Sequence, residues 1–411
     1  MTFTVIYFIL MFFLTVYMFL KKVNVLGRLI FLVYTIGALL AIFAVYYGLT
    51  TKQNISLLPY LFLIISYCIF FGPFLKNKSI CSAYKIVPYV DRKYILFAIF
   101  YIVCALISIK CYLPAVGRLM ASGDWASNRM ELYSENLDAP YSNMIEYYSI
   151  QISGYCRILA TIVGFSLLRA NSSKKITKKY TVINRIIGLL AIFTSIGYIL
   201  CASIYSSARG TIFNVLVLVM AIYLFFYYEI DKNKRKFITI LALLIIACII
   251  PYLIEVTVSR FSSEGAANSV VWYLGQAPIV FNKFIFTLEK HAWGKYGIGI
   301  LFGEEFSAAS IGGEWGAGFF TFVGWLCIDW SPIGVIIIGV LSSYLVLKVI
   351  KKRIYQISDV FLIFTYYQIL TNGVFVIGRT YVYTLIGSFV IYVLLKLVIE
   401  KKKYVVGKIK I

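Results

Sequence analysis

The feature that most confines this chain is a succession of apolar runs, each about as long as a bilayer is thick. Residues 2–20 carry no charged side chain, and comparable runs recur near 26–48, 57–75, 94–112, 147–168, 185–205, 211–229, 237–255, 333–350, 359–377 and 380–399. A hydrocarbon core needs about 20 residues of helix to cross it. Lipid offers no partners for backbone N–H and C=O groups, so only helices and closed barrels can span. A barrel would read as short alternating segments; these runs are long and continuous. The expected class is therefore an all-α polytopic membrane protein with about 11 transmembrane helices, residues 1–411 forming a single membrane domain. Charged residues make up 14% of the chain, against about 25% in soluble domains.

The net charge of +22 raises the question of nucleic acid, but its distribution answers it. The basic residues lie in small clusters between spans, and no basic tract is interleaved with aromatics as a nucleic-acid groove would be. One set of loops, with the C-terminal tail, holds 28 of the 39 Lys and Arg residues, from Lys21, Lys22 and Arg28 to the tail lysines. Cytoplasmic loops carry such an excess. Eleven spans then alternate with the N-terminus outside and the C-terminus inside. Acidic residues divide the other way, 12 of 17 lying on the outer side. Met1 to Tyr7 has no basic n-region, so the first run is expected to be a retained span rather than a signal peptide. The eight cysteines form no Cys-x-x-Cys pair and read as small buried apolar residues, not as a metal site or disulfide framework.

Two outer segments are long. In residues 111–146, Asp124 is placed to cap a short surface helix over Trp125 to Tyr133. The larger loop, 255–332, is too rich in charge and glycine to be a span. Within it, Pro278 is expected to break a surface helix into pieces 269–276 and 279–290. The chain then re-enters the membrane through 318–334.

Arginines dominate the candidate chemistry. Arg209 and Arg379 stand in very short outer turns before spans, Arg260 follows the eighth span, and Arg157 lies in the fifth near its outer end; Arg118 and Arg129 occupy the first outer loop. Charge at the membrane edge usually faces a polar cavity, and arginine grips phosphate oxygens in a fork. Lipid-headgroup contact or a carboxylate partner is the plainer role for any one of them; Arg209, Arg260 and Arg379 together favour an anion clamp. His291, the one histidine, has a pKa range suited to a base, although a solvated histidine is the plainer reading. Among the outer carboxylates Asp329 stands out for its apolar context, its plainer role being to hold backbone where the chain re-enters. Trp125, Trp272, Trp293 and Trp315 could stack on sugars. No His-x-x-x-His pair supports a metal, and no Gly-x-x-x-x-Gly-Lys motif supports a nucleotide, so no cofactor is expected.

Three stretches resemble one family. Ser206-Ser-Ala-Arg209-Gly210 opening a span is similar to the small-residue-Arg-Gly turn of bacterial oligosaccharide repeat-unit polymerases, the O-antigen polymerase (Wzy) family. Tyr273-Leu-Gly-Gln-Ala-Pro278-Ile-Val-Phe281 resembles a loop segment of that family. Thr321-Phe, followed by Asp329-Trp-Ser-Pro-Ile-Gly334, resembles its re-entry segment, with Trp330-Ser331 where Phe-Gly is usual. The resemblance covers mainly 200–335. It implies a metal-independent glycosyltransferase with a GT-C-like fold in the bacterial cytoplasmic (inner) membrane. Such an enzyme moves a growing glycan between undecaprenyl-pyrophosphate carriers, donor and acceptor both lipid-linked, to build O-antigen of lipopolysaccharide, capsule or exopolysaccharide. The resemblance suits arginines that hold the pyrophosphate leaving group; the catalytic candidates are Arg209, Arg260, Arg379, Asp329 and His291. Arg118, Arg129, Arg157, Tyr273 and Trp272 would bind substrate. Membrane lipids and a chain-length regulator protein are the other partners expected. The rivals are an O-antigen ligase-type transferase and a lipid-linked oligosaccharide flippase; a membrane acyltransferase would place its histidine in the membrane or on the cytosolic side.

Overall fold

A computed structural model of the protein describes residues 1–50, 54–76, 85–86, 92–133, 139–169, 178–230, 266–311, 320–352, 354–374, 381–400, 405–406 and 409–410, with scattered positions between 232 and 256. Helix dominates them: α1 (Thr2–Leu20), α2 (Val25–Tyr46), α3 (Leu57–Lys76), α4 (Arg92–Ser122), α5 (Trp125–Tyr133), α6 (Met144–Leu168), α7 (Lys178–Tyr205), α8 (Arg209–Phe226), α9 (Ala266–Val280), α10 (Phe322–Ile350), α11 (Ile357–Asn372) and α12 (Tyr381–Leu394). The strands described are two-residue ladders, β1 (Lys85–Ile86) parallel to β2 (Ile354–Tyr355) and β3 (Val405–Val406) antiparallel to β4 (Ile409–Lys410). The fold is all-α, and eight described helices are long and apolar enough to cross a membrane. The distance from eleven has three sources. The apolar part of α8, Gly210–Phe226, is shorter; α11 has 16 described residues; and the expected span at 237–255 lies mostly outside the described residues.

The chain forms two compact units. The first comprises Met1–Ser82, Tyr252–Lys351 and Tyr366–Tyr383; the second comprises Ala83–Pro251, Lys352–Thr365 and Thr384–Ile411.

In the first unit α2 packs on α1 and α9, and α3 packs on α10. The core is aromatic. Tyr7 stacks on Tyr60 at 4.6 Å, and Tyr34, Tyr67 and Phe71 form a second cluster. A buried phenol needs a hydrogen-bond partner, and backbone carbonyls of other segments supply it: Tyr34 donates to Leu370 at 2.7 Å, Tyr366 to Phe70 at 2.8 Å and Tyr367 to Leu26 at 3.2 Å. In lipid, where apolar burial gives helices little reason to associate, such bonds and close packing hold them together. Gly275 shows the packing. A Cβ there would lie 2.5 Å from the backbone carbon of Leu40, so α9 crosses α2 backbone against backbone.

Pro278 does not break α9. The helix runs through it and changes register only afterwards, in a π-turn at Phe281–Ile285 where the Phe286 N–H reaches back to the Phe281 carbonyl at 2.9 Å. A proline removes one N–H and crowds the carbonyl four residues back; membrane helices tolerate this where neighbouring helices surround the defect. Ala277, Ile279, Val280 and Phe281 are buried, so this end of α9 is core rather than surface. Buried Asn282 pins it, bonding both the N–H and the carbonyl of Ser56.

In the second unit α4, α6 and α7 pack pairwise, and α8 packs on α6 and α7. A Cβ on Gly164 or Gly188 would lie 2.7 Å from the other residue's carbonyl oxygen, so α6 and α7 cross closely there. α4 continues through Pro114 as far as Ser122, so the segment expected to begin near position 111 starts some ten residues later. Gly123 ends α4 in the left-handed region, with φ 67° and its N–H on Leu119 at 2.9 Å. Asp124 then caps α5, accepting from the Ser127 N–H at 3.2 Å. Trp125 is fully buried and anchors that helix, so it offers no face to a sugar.

Candidate functional site at the kink of α10

The Thr321–Gly334 segment builds a site in the first unit because it caps two helices in succession. Thr321 accepts from the Gly324 N–H at 3.4 Å and opens the first, whose residues Phe322 to Asp329 are all buried. At Ser331 the backbone leaves helical geometry, with φ 66° and ψ 166°. The Ser331 hydroxyl accepts from the Gly334 N–H at 3.5 Å and Pro332 follows, the order in which serine caps and proline occupies the first helical position. A Cβ at residue 334 would lie 2.6 Å from the Cβ of Trp330, so glycine permits the turn to close. The α10 span thus begins beside Ser331, close to the expected position 333, and the re-entry segment before it is a separate buried helix.

Asp329 ends that first helix at 2% exposure. Its two carboxylate oxygens accept from consecutive backbone amides, Oδ1 from Tyr296 at 3.0 Å and Oδ2 from Gly297 at 2.9 Å. Two backbone bonds run alongside, from the Ala292 N–H to the Ile328 carbonyl at 2.7 Å and from the Trp293 N–H to the Asp329 carbonyl at 2.8 Å. Residues 292–297 are therefore held on the end of the helix at four points. Trp293 has φ 51° and Gly294 φ 89°, a reversal that lays Gly294 over the Trp330 ring. A Cβ on Gly297 would meet Asp329 Oδ2 at 2.8 Å, so only glycine lets the carboxylate approach.

This held loop presents His291 and Trp293. The His291 ring stands edge-on to Trp293 at 6.5 Å, and its Nδ1 is buried with no hydrogen-bond partner among the described residues. Trp293 is 69% exposed. Nothing in the sequence singles out the Tyr296 and Gly297 amides as partners of Asp329; the glycines at 294, 297, 299 and 303 mark only a turn-rich loop. Among the described residues no group of three His, Cys, Asp or Glu could hold a metal ion.

The other candidates are placed as follows. Trp272 and Tyr273 lie half-buried on α9 in the first unit. Arg118, Arg129, Arg157 and Arg209 belong to the second. Arg118 is exposed near the end of α4. Arg129 is on α5 and Arg209 is the first residue of α8, their side chains outside the description. The turn before Arg209 is built: Ser207 is fully buried at φ 48°, and the Asn128 amide donates to the Tyr205 carbonyl at 2.8 Å and to the Ser207 hydroxyl at 2.9 Å. Arg157 stands midway along α6 rather than near its end. α6 starts at Met144, capped by Asn143, whose side chain accepts from the Glu146 N–H at 3.0 Å. Arg260 and Arg379 lie outside the described residues.

Set against known proteins, the chain matches no family model, no curated protein and no solved structure.

Proposed function

We propose that this protein is a bacterial membrane glycosyltransferase that polymerises undecaprenyl-pyrophosphate-linked oligosaccharide repeat units on the outer face of the cytoplasmic membrane. The fold would be GT-C-like, with eleven spans and the C-terminus in the cytoplasm. The observation that supports the reading best is the loop held by Asp329, which presents the exposed Trp293, with His291 beside it, at the start of a membrane span. Tryptophan faces stack on sugar rings, and an imidazole nitrogen accepts a proton from an attacking hydroxyl. Arg209, Arg260 and Arg379 would hold the pyrophosphate leaving group, a mainly electrostatic contribution. The acceptor hydroxyl attacks the anomeric carbon, the bond to pyrophosphate breaks, and the leaving group departs on its lipid. In this scheme Asp329 is a positioning residue, because both its oxygens already hold backbone.

An O-antigen ligase-type transferase shares the donor and differs in the acceptor; the free His291 nitrogen speaks for it. Glycan profiles decide between them. Cells carrying only Arg209→Ala, Arg260→Ala or Arg379→Ala at equal abundance should lose the ladder of long chains and keep single repeats. Long chains left on the lipid carrier would mark a ligase. Unchanged ladders in all three would remove the clamp. With native cysteines replaced, a cysteine at Ser263 should react with an impermeant reagent on intact cells and one at Lys175 should not; the reverse would overturn the orientation.

A further inference from the structure

We infer that the turn from Ile298 to Phe302 is an interfacial foot, which sets the Ile298 and Phe302 side chains into the bilayer surface beside the start of the α10 span. The inference does not rest on the polymerase reading.

Residues 296–303, Tyr-Gly-Ile-Gly-Ile-Leu-Phe-Gly, carry no charge in a loop otherwise rich in it. Within them Ile298–Phe302 form a short 3-10 turn in the first unit. Phe302 is 78% exposed, more than any other large apolar side chain among the described residues, and Ile298 is 45% exposed. A slack loop could fold such a ring away. This turn is tied along its length. The Gly299 N–H donates to the Gly294 carbonyl at 3.0 Å, and the Glu304 N–H donates to the Gly299 carbonyl at 3.0 Å. Tyr383, in the first turn of α12, donates its hydroxyl to the Ile300 carbonyl at 3.1 Å. Gly303 closes the turn in the left-handed region, with φ 71° and its N–H on the Ile300 carbonyl at 3.3 Å. The fold therefore holds Phe302 outward.

The neighbouring span indicates what covers it. A Cβ on Gly294 would meet the Trp330 ring at 3.4 Å and the Ile298 side chain at 3.9 Å. Ile298 thus stands beside Trp330, one residue before the kink at which the span begins. Along that span Ile333, Ile337, Leu341 and Tyr344 share one helical face, and each is more than half exposed. In a membrane protein an apolar face left uncovered by protein belongs to acyl chains. The foot begins where that face ends. Interfacial segments sink apolar side chains about 5–10 Å into the boundary of headgroups and acyl chains while their charged neighbours stay in water. Exposed Lys295, Glu304 and Glu305 flank the turn in this way. Two apolar side chains are far too few for a stable protein interface, which buries about 800 Å² per partner. They suffice to seat a turn that the span already brings to the membrane.

The test uses the full chain, native cysteines replaced, in nanodiscs of phosphatidylethanolamine and phosphatidylglycerol in equal parts. A nitroxide is attached at Ile298→Cys, Phe302→Cys, Glu305→Cys or Leu341→Cys, one at a time. Electron paramagnetic resonance reads its collisions with oxygen, which concentrates in lipid, and with a nickel chelate, which stays in water. Labels at 298 and 302 should favour oxygen, as at 341 in the span, and the label at 305 should favour the chelate. Losing a phenyl ring weakens partition into an apolar phase by about tenfold or more. Adding Phe302→Ser should therefore lower the oxygen-to-nickel ratio at 298 severalfold while the melting temperature stays unchanged, because an exposed ring supports no core. Labels at 298 and 302 that favour the chelate as at 305 would overturn the inference. Shielding of both labels from both reagents would overturn it too, by showing that a second copy or another protein covers the turn. An unchanged ratio at 298 in the Phe302→Ser variant would remove Phe302 from the role. Glycan chains play no part in these readouts, so the foot and the polymerase reading stand or fall separately.

Discussion

Replacing Asp329 by asparagine keeps its shape and removes its charge. The side chain then offers one oxygen, and its NH2 group faces an amide N–H. One of the two bonds to Tyr296 and Gly297 is lost and the other becomes a neutral one. Hydrogen bonds to a charged group are worth about 1.5–3 kcal/mol each, and a buried donor left without a partner costs about 1–3 kcal/mol. The residue is 2% exposed, so water cannot take over the lost bond. The loop should therefore be released by about 2–4 kcal/mol. A loss of about 2 kcal/mol in local opening speeds amide exchange about 30-fold. Hydrogen exchange read by mass spectrometry in nanodiscs should show that increase in peptides covering 292–297, while peptides from 335–345 in α10 stay protected. Trp293 emission should shift in the same variant. If exchange over 292–297 matches the wild type, Asp329 does not hold the loop, and its role as a positioning residue falls with it.

Gly275→Ala should lower the melting temperature by several degrees, since the added Cβ meets backbone atoms of Leu40 and Ala41 at 2.5–2.7 Å and overpacking of this kind costs about 1–3 kcal/mol; Gly72→Ala, where nothing lies within 4 Å, is the silent control in the same thermal scan. Glu400 accepts from Tyr94, from the Ser358 N–H and hydroxyl, and from Lys396. Glu400→Gln leaves Lys352 and Lys396 sharing one buried carboxylate, Asp359, and should cost about 3 kcal/mol or more, read by denaturant unfolding; adding Lys396→Met should restore part of it. Asn128→Ala should free the turn ahead of Arg209, costing about 1–3 kcal/mol. If Arg209 acts in catalysis, glycan chains should also shorten at unchanged protein abundance, and full-length chains would separate this turn from the reaction.

The spans could be read from sequence because lipid imposes one rule, a sustained apolar run, and eight described helices obey it. Local capping was legible too: Asp124 before Trp125 works as its residue type dictates. Proline misled once: Pro278 reads as a break, but it sits inside a continuous helix, where packed neighbours tolerate the missing N–H. Arg157 is the fourteenth of the 25 residues of α6, a central place that the expected run 147–168 already gives it. The partners of Asp329 lie more than thirty residues away and are backbone amides, a kind of contact that no side-chain pattern records. The geometry around Arg209, Arg260 and Arg379 rests on side chains outside the described residues, so for them the sequence pattern carries the argument.

The kink at Ser331 acts as a depth gauge. From Ser331 to Lys351 the helix rises roughly 30 Å at 1.5 Å per residue, about the thickness of a hydrocarbon core. With Lys351 and Lys352 at one headgroup layer, Ser331 would lie at the other, and the loop fixed to Asp329 would be held at that surface of the bilayer. One residue added between Asp329 and Ser331 would turn the loop by about 100° around the helix axis and raise it by about 1.5 Å, so the spacing from carboxylate to kink sets both the height and the direction in which His291 and Trp293 are offered.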